Sequence, residues 1–130
     1  MKTSVRFLLV IFISTIAFAS CFSLTDSGIN TVLKEFSNQQ HNKNAILFLK
    51  EAGADSFQVT VADNDYKLDY SEVGNTFTCD DNHGETRLNS NSINCTWLSN
   101  DTLQIDFDKK LQTFIKNEKV EGVTVVYKEK

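Results

Sequence analysis

Short runs in which apolar and polar residues alternate recur along this chain, and they constrain its fold more than any other feature. Clear runs lie at residues 57–62, 66–70, 93–97 and 103–107, and residues 120–127 are predicted to close the chain as a further strand. A period of two places the apolar side chains of a run on one face of a β-strand. Because turn-forming Asn, Asp and Gly residues separate the runs, the sequence predicts an antiparallel meander of about six to eight short strands, closed into a small sandwich or partial barrel.

One earlier segment has a different period and predicts a helix. Asp26 or Ser27 can cap it, and its apolar residues recur at i, i+3, i+4 and i+7: Ile29, Val32, Leu33 and Phe36. We expect this N-terminal helix to cover one face or one edge of the strands. The compact apolar run at residues 45–50 could also be helical, but its length and flanking residues are more typical of a buried strand. The predicted fold class is therefore α+β and β-rich.

The first twenty residues have the organisation of a secretory signal peptide. Lys2 and Arg6 form a short basic region, and an unbroken apolar run follows at residues 7–13. The sequence Ala17-Phe18-Ala19 supplies the small residues that a signal peptidase accepts. A membrane span needs about 20 consecutive apolar residues, so this apolar core is short for an anchor helix. We expect residues 1–20 to be removed and the protein to be exported.

Cys21 gives the processing site two interpretations. The sequence Phe18-Ala19-Ser20-Cys21 looks like a bacterial lipobox, in which the cysteine is acylated and becomes the N-terminus, although Phe18 stands where an aliphatic residue is usual. The alternative is ordinary cleavage after Ala19. The lipobox divides the chain into a signal peptide (1–20), a tether (21–25) and one β-rich domain (26–130).

The cysteine count favours lipid on Cys21. The chain has three cysteines, and an unpaired thiol is unfavourable in an exported protein. With Cys21 acylated, Cys79 and Cys95 remain as a pair, and a disulfide closing a loop of that size contributes about 3 kcal/mol. We therefore predict a disulfide between Cys79 and Cys95; the alternatives are three unpaired thiols, or a bond between Cys21 and one of the other two cysteines.

The charge of the remaining chain limits its partners. Removing residues 1–20 leaves eleven basic and seventeen acidic residues, a net charge of −6 with histidine neutral. An acidic surface disfavours nucleic acid and anionic lipid headgroups. The 110 residues that remain are enough for one domain with a modest core. We expect contact with the membrane through the lipid anchor only, and no nucleic-acid partner.

The stretch from Cys79 to Glu85 contains the strongest candidates for metal binding. Asp80, Asp81, His83 and Glu85 are possible ligands within a few residues of one another. Their spacing matches no standard site, and a solvated loop closed by Gly84 is the favoured interpretation. The acidic residues from Asp63 to Glu72 fail the calcium-loop pattern at the positions that define it. We predict no metal site and no cofactor.

Other signals for catalysis or recognition are weak. The sequence has no nucleophile elbow of the Gly-x-Ser-x-Gly type and no phosphate-binding glycine loop. Trp97 is in phase with Ile93 and Cys95, so we expect it in the core rather than exposed as a binding anchor. The sequence therefore does not predict an enzyme.

Several blocks occur in an order that resembles a group of small bacterial exported proteins and lipoproteins. The blocks are Lys43–Phe48, Gly53-Ala54 with Gln58-Val59, Gly74–Phe77, Asp81–Gly84, Trp97–Ile105 and Val120–Val125. Members often have Cys-Gly-Ala-Thr after the first strand, whereas this chain has Ala52-Gly53-Ala54-Asp55. The resemblance implies a cell-envelope location and a compact β domain, and it implies no particular activity.

Three functional hypotheses follow. The leading one is a non-enzymatic envelope lipoprotein that binds a protein partner, for example an immunity or inhibitor protein. It would be anchored in the outer membrane, or periplasmic or secreted if cleavage follows Ala19. The alternatives are a periplasmic module for a small ligand or metal, centred on His83, and a secreted hydrolase.

Overall fold

The computed structural model describes residues 28–130 and contains nine β-strands in that range. They are β1 (Ile29–Ser37), β2 (Lys43–Ala52), β3 (Ala54–Asp63), β4 (Phe77–Asp80), β5 (Ile93–Ser99), β6 (Thr102–Phe107), β7 (Gln112–Lys116), β8 (Lys119–Val120) and β9 (Val123–Glu129). One sheet has the order β1-β2-β3-β4-β7, and the other has the order β5-β6-β9-β8. The predicted signal peptide, the tether and Cys21 lie outside the described residues.

Alternation of apolar residues builds the core between the two sheets. Leu47 on β2 pairs with Val59 on β3, which pairs with Phe77 on β4, and all three side chains are fully buried. Leu103 and Ile105 on β6 face them from the second sheet. The strands predicted at residues 45–50, 57–62, 93–97 and 103–107 are confirmed. Within residues 28–130, no helix is long and apolar enough to cross a membrane.

The predicted N-terminal helix is wrong, because β1 occupies residues 29–37. A β-bulge shifts its register against β2 between Val32 and Lys34, so Leu33 is an extra residue. The bulge lets Leu33 and Phe36, three residues apart, both pack on the core, while Ile29 and Val32 are exposed. A bulged strand thus reproduces the helical spacing. The fold is all-β in the described residues, not α+β.

The strands also do not form one antiparallel meander. β1 to β4 follow one another in antiparallel order, but β7 returns to the first sheet, and β6 pairs with β9 in parallel. The run predicted as one strand at residues 120–127 is interrupted by Glu121 and Gly122, whose φ values are 52° and 75°. These are the backbone angles of a two-residue hairpin turn, and β8 and β9 pair on either side of it.

Two side chains close the two sides of the sandwich. On one side, Trp97 of β5 packs on the core and donates from Nε1 to the carbonyl of Phe36 on β1, at 2.7 Å. On the other side, the Tyr127 hydroxyl of β9 is shared between the carbonyls of Thr76 and Asn117, at 3.0 and 2.7 Å. Burial raises the pKa of this phenol. The core position predicted for Trp97 is confirmed.

Candidate functional site

The predicted metal-ligand stretch forms a turn after β4. Asn82, His83 and Gly84 all have positive φ, at 52°, 58° and 80°. One Asp80 carboxylate oxygen accepts the amide of Asn82 at 2.8 Å, and Glu85 accepts the Asn82 side-chain amide at 2.6 Å. His83 is exposed. No three His, Cys, Asp or Glu side chains of residues 28–130 are grouped to hold a metal ion, so Asp80, Asp81, His83 and Glu85 do not converge on one point.

The predicted disulfide is not formed, and Cys79 and Cys95 are buried free thiols. Their strands are offset across the sandwich. Bonding of Trp97 to β1 places β5 at one side, whereas Tyr127 places β4 near β9. Each thiol faces the apolar core, and burial raises both pKa values to about 12. These thiols are protonated near neutral pH and are therefore poor nucleophiles and poor metal ligands.

An open cleft of about 510 Å³ lies at the end of the sandwich where the β1–β2 loop meets the β5–β6 turn. An amide network joins the two loops that form it. Asn38 is buried and donates to the Asn100 carbonyl at 2.9 Å, while the Asn100 side chain accepts the Gln40 amide. The Ser99 hydroxyl bonds Asp101 at 2.7 Å. These bonds join loops of the two sheets. No histidine of the described residues bonds a hydroxyl or a thiol, which is the arrangement that activates a nucleophile.

The most distinctive surface was missed from the sequence. Ile29, Tyr70 and Val73 are exposed by 61%, 69% and 56%. The backbone segments that carry them are joined where the amide of Asn30, at the start of β1, donates to the Tyr70 carbonyl at 2.9 Å. We call Ile29, Tyr70 and Val73 the Tyr70 surface. Its exposed apolar residues come from the start of β1 and from the long segment that connects β3 to β4.

Hydrogen bonds fix the connecting segment beneath the Tyr70 surface. The Asn30 side-chain amide donates to the carbonyls of Asp69 and Glu72, at 2.9 and 2.8 Å. Lys50, only 8% exposed, places its ammonium 3.0 and 3.2 Å from the carbonyls of Ser71 and Glu72. The backbone of residues 69–72 is thus held on β1 and β2 from below, while Tyr70 points into solvent.

The segment then continues across the outer face of the first sheet. The Gly74 amide donates to the Gln58 side chain at 2.7 Å, and Asn75 exchanges two side-chain bonds with the backbone of Val61. A Cβ on Gly74 would lie 2.9 Å from the Val59 carbonyl oxygen, so glycine permits this close approach. The segment that carries Tyr70 is therefore held by hydrogen bonds on both sides of Val73.

Acidic residues lie beside Tyr70 in the segment that connects β3 to β4. One Glu72 carboxylate oxygen accepts the Tyr66 hydroxyl at 2.7 Å and the Asp69 amide at 2.6 Å. The bond to this carboxylate raises the pKa of Tyr66. Along residues 63–85, Lys67 is the one basic residue among seven acidic ones, which are Asp63, Asp65, Asp69, Glu72, Asp80, Asp81 and Glu85. The segment that carries Tyr70 and Val73 is therefore acidic, with Asp69 and Glu72 closest to Tyr70 in the chain.

This surface could not be predicted from the sequence, because the alternation of Tyr66, Leu68 and Tyr70 with polar residues predicts a half-buried strand. The structure has no strand at residues 66–70, so that prediction is wrong. Lys50 was the one clue in the sequence. A lysine at the end of the buried apolar run on β2 requires hydrogen-bond acceptors nearby, and the segment that carries Tyr70 supplies them.

Comparisons with protein-family models, with curated proteins and with solved structures find no match to this chain.

Proposed function

We propose that this protein is a non-enzymatic, lipid-anchored protein of the bacterial cell envelope that binds a protein partner through the Tyr70 surface. The observation that carries the proposal is the exposure of Tyr70 on a backbone held by Asn30 and Lys50. Lipid on Cys21 and the envelope location come from the sequence pattern of residues 1–21.

An ordered, exposed tyrosine is a favourable binding anchor. Tyrosine is enriched among the residues that dominate the affinity of protein interfaces. A preorganised surface also binds more tightly because less conformational freedom is lost on association. Ile29 and Val73 are two further exposed apolar side chains on the backbone joined at this point.

The acidic surroundings indicate the charge of the partner. Asp69 and Glu72 lie on either side of Tyr70 in the chain and are joined by a hydrogen bond, and residues 63–85 as a whole are acidic. Complementary charge accelerates association and excludes partners of the same sign. We expect a basic protein with an apolar centre to its binding face. An inhibitor or immunity protein that neutralises a basic envelope-acting toxin or hydrolase fits this description.

Photo-crosslinking in the native cell tests the proposal. A photoreactive phenylalanine analogue replaces Tyr70 or Val73 in the full chain, and Thr96 serves as the control position. Thr96 is also exposed but lies on the outer face of β5. We expect one crosslinked protein from positions 70 and 73 and not from position 96. The variant Tyr70→Ala should lower co-purification of that protein at least about tenfold, as expected for a central interface tyrosine.

The control for that variant is Phe114→Ala, which removes another exposed aromatic ring, 60% accessible, on β7. Co-purification should survive this change. Absence of crosslinks at positions 70 and 73, or an equal loss of partner in both alanine variants, would refute the Tyr70 surface as the binding site.

A further inference from the structure

The last strand, β9, has an edge that is mostly uncovered. On one side β6 pairs with β9 from Thr124 to Glu129. On the other side β8 pairs only with Val123 and Thr124. The Val125 amide finds one further acceptor, the Glu118 carbonyl at 2.8 Å. Beyond Val125, this side of β9 has no neighbouring strand in residues 28–130.

The hairpin turn determines which backbone groups face that side. Val120 and Val123 flank the two-residue turn and pair with each other. Groups on a strand alternate in direction, so the backbone of Val123, Val125, Tyr127 and Glu129 points away from β6. The amides of Tyr127 and Glu129 bond no other described residue. They are therefore available to an added strand.

A groove of about 700 Å³ runs along this edge. It is lined by Lys116, Glu118, Lys119, Val126 and Tyr127, among others. The Lys116 ammonium lies 5.1 and 5.2 Å from the ring centroids of Phe107 and Tyr127. The one salt bridge within residues 28–130 joins two other residues, Lys43 and Asp63. Lys116 and Lys119 thus lack a carboxylate partner in the described residues.

The charge of this region is opposite to that around the Tyr70 surface. Residues 109–130 contain six lysines against three glutamates, with the lysines at 109, 110, 116, 119, 128 and 130. An anionic side chain placed in the groove would pair with Lys116 and Lys119. The open edge of β9 offers backbone hydrogen bonds to an added strand, and Lys116 and Lys119 favour acidic side chains on that strand.

We propose that the β9 edge binds an extended acidic segment of another protein, which adds to the second sheet as a strand beside Tyr127 and Glu129. This mode of recognition combines main-chain bonds for affinity with side-chain contacts for selectivity. It is independent of the Tyr70 surface. A second copy of this chain is a poor occupant, because pairing of two β9 edges would bring the Lys116 and Lys119 side chains of both copies together. The other edges are no better suited, since bulges interrupt β1, β5 and β7, and β8 has two residues.

A fluorescein-labelled peptide tests the proposal by anisotropy. Its sequence alternates valine and threonine with aspartates at both ends, and a matched peptide carries lysines in place of the aspartates. We expect saturable binding of the acidic peptide and at least tenfold weaker binding of the basic one. A third peptide, N-methylated at alternate residues, keeps the charge but cannot form the ladder, and it should also bind at least tenfold more weakly.

Two further measurements locate the site. Amide resonances of Val125–Glu129 should shift on addition of the acidic peptide, and those of β1 should not. The double variant Lys116→Gln, Lys119→Gln should weaken binding about tenfold, whereas Lys34→Gln, Lys67→Gln removes the same charge elsewhere and should leave it unchanged. Equal binding of the N-methylated peptide, equal effects of the two double variants, or a dimer of the chain that competes with the peptide would overturn the proposal.

Discussion

Lys50 is buried although it has no carboxylate beside it. Its ammonium is held by the carbonyls of Ser71 and Glu72 and, at 3.5 Å, by the side chain of Asn30. A buried cation costs free energy unless its donors are satisfied. Here the three donors of the ammonium meet three oxygens, so the charge ties β2 to the segment that presents Tyr70.

Replacing Lys50 tests this connection. We expect Lys50→Met to lower the free energy of unfolding by about 2 kcal/mol, because the Ser71 and Glu72 carbonyls lose their buried donor. Urea unfolding measures the change. The control is Lys67→Met in the same segment, an exposed lysine, which should change stability by less than about 0.5 kcal/mol. An equal unfolding midpoint for the two variants would contradict the role of Lys50.

The two buried thiols predict how stability depends on pH. An unfolded thiol ionises near its ordinary pKa of about 9, whereas burial raises the pKa of Cys79 and of Cys95 to about 12. Between these values the unfolded state has lost protons that the folded state retains, so the stability present below pH 9 is lost as the pH rises. We expect each thiol to contribute a loss of about 1 kcal/mol per pH unit.

Urea unfolding of the reduced protein at several pH values above 9 measures this slope. Other groups also ionise there, so the comparison is with Cys79→Ala and Cys95→Ala. Each variant should have a shallower slope than the parent, and the double variant should have the shallowest. A slope that does not change in the double variant would show that the thiols titrate alike in both states.

At the level of strands, the sequence predicted where an alternating run is buried on one face and erred where a strand is irregular. Phe57, Val59 and Val61 have no competing explanation and form β3. β1 was mistaken for a helix because its bulge at Leu33 depends on pairing with β2, which no local pattern reveals. Tyr66 and Tyr70 alternate, but distant partners, Glu72 and Asn30, decide their conformation. The Tyr70 surface therefore required the tertiary structure.

Bulges recur on the outer strands of both sheets. Leu33 on β1, Phe114 on β7 and Leu98 on β5 are each the extra residue at a register shift. A bulge twists an edge strand and removes the regular row of donors and acceptors that would pair with another chain. The bulges therefore protect three outer strands from edge-to-edge association.

Deleting one bulge residue tests this protection. Without Phe114, Thr113 and Ile115 become consecutive and match Cys79 and Thr78 on β4 without a shift. We expect this deletion to fold and to self-associate with increasing concentration, as measured by sedimentation velocity. The variant Phe114→Ser keeps the bulge and removes the ring, and it should remain monomeric. A monomeric deletion variant would show that the bulge does not limit association.

Across the whole molecule, charge is separated along the chain. Residues 63–85 are acidic and residues 109–130 are basic, and the two proposed binding surfaces lie in these oppositely charged regions. The Tyr70 surface includes Ile29, the first residue of β1, so it lies close to the chain that leads back to Cys21. If Cys21 carries lipid, seven residues separate it from Ile29, a reach of about 25 Å when extended.

The proposed lipid on Cys21 gives a prediction for the full chain. Intact mass of the membrane-extracted chain should correspond to a mature form that begins at Cys21 and carries acyl groups. The variant Cys21→Ser should lose the acyl mass and leave the membrane fraction, whereas Cys79→Ser should remain in it. A wild-type mature chain that begins at Ser20 without acyl mass would refute lipidation.

The return of β7 to the first sheet determines when the fold can be completed as the chain emerges from the ribosome. β1 to β4 are finished at Asp80, but their fifth neighbour ends at Lys116, and the second sheet gains β9 only at Glu129. Synthesis proceeds from the N-terminus, and contacts distant in sequence form late. A nascent chain of this protein therefore lacks β9 until Glu129 has been synthesised, and this delay would keep the chain unfolded for a transport machinery if the predicted signal peptide directs export.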